Sequence, residues 1–163
     1  MKRYHLAVCC LLLSTVSQAA PVTQNKLLQQ MKLKYVKQEN ALSTGSIEKF
    51  LSYCTPDYKC VGIGSRPENL ALTRLALQRL CTLARGVKLR YTGLFLMPQK
   101  NEVMVRGKEI LRGRILNSNG RRVPWKVEGE FMDVWIHTKK GWQKQLTRSL
   151  YAQTWVNGKL VRI

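Results

Sequence analysis

The apolar residues of this chain follow three successive patterns. A short unbroken run, Leu6 to Val16, comes first, behind Lys2 and Arg3. From Thr23 to Leu42 the spacing changes to about 3.6, with Leu27, Leu28, Met31, Tyr35 and Val36 on one stripe, which predicts a long amphipathic helix. Ser43-Thr44-Gly45-Ser46 ends that pattern, and Ser46 is placed to cap a short helix running through Tyr53. Pro56 to Gly64 reads as a turn followed by a short strand. Ser65-Arg66-Pro67-Glu68 then reads as a helix start with Ser65 as cap, and the helix is expected to reach about Arg85 and stop at Gly86. Its Leu70, Leu72, Leu75, Leu77, Leu80, Cys81 and Leu83 cover the broad face needed to pack on a sheet. Beyond Gly86 the period falls to two. Val87 to Met97, Glu102 to Leu116, Arg121 to His137 and Trp142 to Val156 read as four consecutive strands, with Asn119-Gly120 a strong hairpin signal and Lys140-Gly141 a weaker one. Helices followed by an antiparallel meander predict one α+β domain with its helices on one face of the sheet.

Charge and compartment sharpen this picture. The opening run carries a basic start, is too short to cross a bilayer, and ends in Ser17-Gln18-Ala19, small residues spaced for cleavage. It is read as a secretory signal peptide over residues 1–19, cut after Ala19 because Pro21 disfavours a cut after Ala20. Residues 20–163 are then one secreted or periplasmic domain, and no second apolar stretch is long enough to form a transmembrane segment. The chain has 163 residues, 45% hydrophobic and 23% charged, which suits one packed domain and excludes a disordered, collagen-like or coiled-coil chain. Its 28 Lys+Arg against 9 Asp+Glu give a formal charge of +19, which attracts polyanions. For an exported protein an anionic envelope polymer is favoured over nucleic acid, since no aromatic-interleaved binding motif stands out. A solvated basic surface is the plain alternative. With the leader removed, Cys54, Cys60 and Cys81 remain. Cys54 and Cys60 bracket a turn-rich Thr55-Pro56-Asp57-Tyr58-Lys59 and are a candidate disulfide, or else small core fillers. A lone His137 and the lack of a CxxC pair leave no metal site, and no motif calls for a cofactor.

Two stretches resemble the nuclear transport factor 2-like superfamily. Gly45-Ser46-Ile47-Glu48-Lys49-Phe50-Leu51 with Thr55-Pro56-Asp57-Tyr58 is similar to its short second helix and following acidic turn. Phe131-Met132-Asp133-Val134-Trp135-Ile136 with Gly141-Trp142 is similar to its penultimate strand, hairpin and last strand, in the manner of the SnoaL-like and uncharacterised exported branches. The resemblance spans nearly all of residues 20–163. It implies a cystatin-like cone, a curved antiparallel sheet wrapped on the N-terminal helices with a pocket between. The superfamily hosts isomerases, cyclases, dehydratases and association modules, so fold alone does not give the activity.

Alternation along the third long strand puts Phe131, Asp133 and Trp135 on one face with Val123, Trp125 and Val127, and puts Glu128 and Glu130 on the other. Asp133 is thus a carboxylate among aromatics. On the last strand the same rule sets Arg148 beside Trp142, Leu146 and Leu150. These two charges form a structural ion pair or orient a ligand in the cone. The resemblance further implies that Asp133 occupies the place of the acid that ketosteroid isomerases use as an oxyanion donor, with Tyr35 similar to its partner tyrosine. The isomerases' catalytic base is missing, because Val61-Gly62-Ile63-Gly64-Ser65 contains no carboxylate. Glu128 or Glu130 could stand in only if the strand bulged at Gly129. The sequence therefore assigns no catalytic residue. It predicts a binder of a small, partly apolar molecule through Tyr35, Phe131, Asp133, Trp135 and Arg148. The alternatives are a homodimeric interaction module with a filled pocket, or a lyase or isomerase of the same superfamily.

Overall fold

The computed structural model describes residues 21–161, so the leader and its cleavage point lie outside it. Helix α1 (Pro21–Ser43) presents Met31, Tyr35, Gln38, Ala41 and Leu42 to the interior, a stripe at helical spacing. Val36, expected on that stripe, is 47% exposed, and Gln38 takes an interior place instead. The helix ends because Gly45 adopts φ 70, a left-handed conformation that lets its N–H reach the Leu42 carbonyl and the Ser46 N–H reach that of Ala41. Helix α2 (Ile47–Leu51) follows at once, without a cap bond from the Ser46 side chain.

Strand β1 (Cys54–Val61) occupies the segment read as a turn, and the two-residue β2 (Glu68–Asn69) pairs with it through Lys59 and Cys60. That pairing holds Glu68 and Asn69 extended, so helix α3 (Leu70–Leu83) starts later than Ser65. Asn69 is the cap, its side chain accepting from the Leu72 N–H at 3.0 Å. Strand β3 (Ala84–Pro98) begins directly after α3, and Gly86 makes an irregularity inside it rather than stopping the helix. The meander continues as β4 (Glu102–Leu116), β5 (Arg122–Thr138), β6 (Gly141–Val156) and a short β7 (Lys159–Val161), close to the predicted spans.

The sheet has seven strands in the order β2-β1-β6-β5-β4-β3, with β7 paired to β6. All pairings are antiparallel except β1 with β6, so the sheet is mixed, where a wholly antiparallel one was expected. Its concave side wraps around α1. Met31 and Tyr35 meet Leu96, Val103, Val105, Phe131 and Trp135 in the main core. A second cluster joins Leu42 to Ala84, Val87 and Leu89, and a third joins Leu51, Cys54 and Tyr58. Among the described residues no helix is long and apolar enough to cross a membrane.

Candidate functional site

Asp133 is fully buried, and what surrounds it is set by an irregularity in β6. Residues paired across two strands share a face, so Trp135 opposite Lys144 and Asp133 opposite Thr147 put Lys144 and Thr147 on the inner side. Gln145 is an extra residue between them, a bulge that inverts the alternation as far as Ser149. Arg148 therefore pairs with Met132 on the outer face and is exposed, contrary to its expected place beside Asp133. The cation that meets Asp133 is Lys144, 4% exposed, with Nζ 2.6 Å from Oδ2.

The carboxylate is saturated. Tyr35 Oη donates to Oδ2 at 2.7 Å and Thr147 Oγ1 to Oδ1 at 2.6 Å. Trp135 Nε1 donates in turn to Tyr35 Oη at 3.0 Å. Burial, with Asp133 adding to it, holds the Tyr35 hydroxyl well above the usual tyrosine range, so it stays a donor. The Lys144 ammonium lies 5.2 Å from the Tyr35 and Trp135 ring centroids and 5.8 Å from that of Tyr91. Every contact of Asp133 comes from a donor or a cation. The isomerase-like role, a neutral acid donating to a ligand, does not fit this environment. Of the residues singled out in the sequence, Tyr35, Phe131, Asp133 and Trp135 come together, and Arg148 does not.

Where the three core clusters approach one another they leave a cavity of about 150 Å³. Tyr58, Tyr91 and Phe131 give it an aromatic wall, and Asp133, Lys144, Thr147 and Ser149 a polar one. Glu109 completes the lining. It follows Val103, Val105 and Gly107 along the inner face of β4 and makes no hydrogen bond or ion pair among the described residues. Burial raises its carboxyl above the ordinary value, the negative charge of Asp133 adds to the rise, and Lys144 partly offsets it. A folded-state value raised in this way contributes stability that is complete below the ordinary glutamate range and is lost as the pH rises through the raised value. Burial also pushes the hydroxyls of Tyr58 and Tyr91 well up, so both are neutral donors.

Sequence reasoning missed Lys144 and Glu109. Glu109 had a signal: it is the one carboxylate in an alternation of apolar residues and glycine, the same argument that found Asp133. Glu128 and Glu130 lie on the outer face, held by Lys126 at 2.9 Å and Arg106 at 2.8 Å, so neither reaches the cavity. The two cysteines proposed as a bridge, Cys54 and Cys60, are free. The segment between them is strand rather than turn, and both pack into the cluster around Tyr58. Burial pushes the Cys54 thiol up to about 11, which keeps it protonated and unreactive. Among the described residues no group of His, Cys, Asp and Glu is arranged to hold a metal ion.

No protein-family model matches the sequence, and no curated protein is similar to it in sequence. The folded chain is similar to solved structures. One is a proposed scytalone dehydratase from Novosphingobium aromaticivorans, 12% identical over 80% of this chain and 89% of that one, TM-score 0.68. Another is a hexachlorocyclohexane dehydrochlorinase, 11% identical over 88% and 94%, TM-score 0.67. A third is a protein of cystatin-like fold from Nostoc punctiforme, 14% identical over 80% and 91%, TM-score 0.57. At these identities the likeness is one of fold. The chain has the cone-shaped, cystatin-like fold of the nuclear transport factor 2-like superfamily.

Proposed function

We propose that this protein binds a small, partly apolar molecule in the cone cavity, with Glu109 donating a hydrogen bond to an oxygen of the ligand. The observation that carries this reading is the unequal state of the two inward carboxyls. Asp133 is held by Tyr35, Thr147 and Lys144, whereas Glu109 faces the same space with no partner among the described residues. A half-buried acid without a partner is costly in its charged form and is offset by a ligand acceptor that the neutral form can serve. A cavity of about 150 Å³ is the size that holds a benzene-sized molecule. Tyr58, Tyr91 and Phe131 would contact the ring and Ser149 a second polar group. In this reading the protein acts outside the cytoplasm after loss of residues 1–19.

Native mass spectrometry of the purified chain, before and after denaturation, tests this. The expected outcome is a co-purified small molecule that is lost on unfolding and depleted in Glu109→Leu. Its affinity for the wild type is greatest at acidic pH and falls as the pH rises through the raised Glu109 value, while that of Glu109→Gln is flat. A cavity that returns empty from every preparation, with no pH-dependent ligand in a fragment screen, refutes the reading.

A second reading, catalysis, is favoured by one observation: two titratable groups, Glu109 and Lys144, line one cavity. A carboxyl with a raised value suits proton abstraction near neutral pH, and two of the structural neighbours are named for elimination reactions. Incubating the recovered ligand with protein in deuterated water decides between them. Deuterium entering a carbon position with wild type and not with Glu109→Gln indicates an enzyme. No exchange with either leaves a binding protein.

A further inference from the structure

On the opposite face of the sheet from the cavity, Lys88 pairs with Arg112, Arg112 with Lys126 and Lys126 with Trp155. The register therefore lines up three cations and an indole in one row across β3, β4, β5 and β6, on the side facing away from Phe131 and Asp133. Neighbouring strands are about 4.8 Å apart, so the charges repeat at about that interval. The row forms the floor of a groove of about 620 Å³ next to the β6–β7 turn. Arg114 adds a further cation, and no acidic residue lines it.

Like charges directly opposite one another in a sheet destabilise it. On the same face Lys108 pairs with Glu130, which also holds Arg106 at 2.8 Å, whereas Arg85 opposite Arg114 extends the like-charge arrangement beside the row. In the groove, one acid from outside its lining, Glu128, reaches Lys126 at 2.9 Å, and among the described residues Lys88 and Arg112 have no acidic partner. A row in which one acid is set against three cations, with Arg114 beside it, is what a bound polyanion would neutralise.

We propose that this groove is the binding site for an anionic polysaccharide, a single chain lying across the strands with its carboxylate or sulfate groups over Lys88, Arg112 and Lys126. The alternative polyanions fit less well. Duplex nucleic acid is read by a helix or ribbon that enters its groove, and the row lies along the floor of a depression on the outer side of a curved sheet. Single-stranded nucleic acid calls for open aromatic faces on which successive bases stack. Two indoles, Trp125 and Trp155, line the groove, and the Trp155 ring already carries the Lys126 ammonium 4.1 Å from its centroid, so a run of open faces for successive bases is lacking among the described residues.

The test uses the full chain, a heparin-derived octasaccharide, an oligogalacturonate and an oligothymidylate of matched length, with indole fluorescence as the readout over a salt series. Two triple variants lose equal charge: Lys88→Gln/Arg112→Gln/Lys126→Gln in the groove, and Lys32→Gln/Lys37→Gln/Lys100→Gln at exposed positions elsewhere. The groove variant is expected to lose at least about tenfold in affinity for the acidic sugars, and about three in the slope of log K against log salt. The control is expected to lose less than about twofold. The groove variant is also expected to melt no lower than wild type, because a like-charge row has been relieved. Equal losses in the two variants, tighter binding of oligothymidylate than of either sugar, or a lowered melting temperature in the groove variant each overturn the proposal.

Discussion

At the residue scale, the centre of the molecule is one buried ion pair whose two halves depend on each other. Lys144→Met leaves the Asp133 charge buried with two neutral donors, and a loss of about 3–5 kcal/mol in denaturant unfolding is expected. Adding Asp133→Asn to Lys144→Met removes the stranded charge and is expected to recover most of that loss. A double variant as unstable as the single one would show that packing around Lys144, not charge, accounts for the effect. The two residues were not equally legible. Asp133 stood out because β5 alternates without interruption from Phe131 to Trp135, and strict period two assigns faces correctly. Lys144 was hidden because the inserted Gln145 breaks that rule, and nothing in Lys144-Gln145-Leu146 distinguishes a bulge from a regular strand. Glu109 could have been read by the logic that found Asp133. It was passed over because the surrounding strand, Arg106 to Arg114, is dense in charges that do face outward.

At the element scale, the bend of the sheet is built into particular positions. A second irregularity in β6 lies between Ser149 and Tyr151, where Leu150 is the extra residue; it is opposite the Glu130–Phe131 step of β5, next to Gly129, which pairs with Ala152. A Cβ on Gly129 would come 2.6 Å from the Tyr151 carbonyl oxygen, a backbone atom that cannot swing aside. Gly129→Ala is therefore expected to destabilise by about 1–3 kcal/mol in thermal or chemical unfolding. A neutral result would show that β6 shifts freely there. Strand spans were legible because hydrophobic period and turn residues agree along the meander. The start of α3 was not: Ser65 to Glu68 carries every local helix-start signal, yet pairing of Glu68 with Cys60 keeps it extended. A contact between strands overrode a local preference. The same holds for Cys54 to Cys60, where turn-forming residues lie in a strand because β6 provides the partner.

For the whole molecule, fold class and the position of the pocket followed from the order of elements, since helices followed by a long meander have few ways to bury their apolar faces. What stayed invisible was the distribution of charge, because a count of basic residues does not say which of them a sheet register lines up. The order of strands sets one further requirement. A chain ending at Lys140 lacks β6, which leaves β1 without its parallel partner and Asp133 without Lys144 and Thr147. Such a chain is expected to show no cooperative melting transition, and a well-defined one would refute this dependence on the last long strand.

That placement of β6 also has a consequence in time. Thr55 and Lys144 are neighbours in space but 89 positions apart in the chain, and β6 leaves the ribosome only after the whole of β1 to β5. Contacts of such high contact order form slowly, and until β6 arrives β5 presents an open edge. Folding of this domain therefore cannot finish until β6 has emerged, and the nascent chain must be shielded from other chains until then.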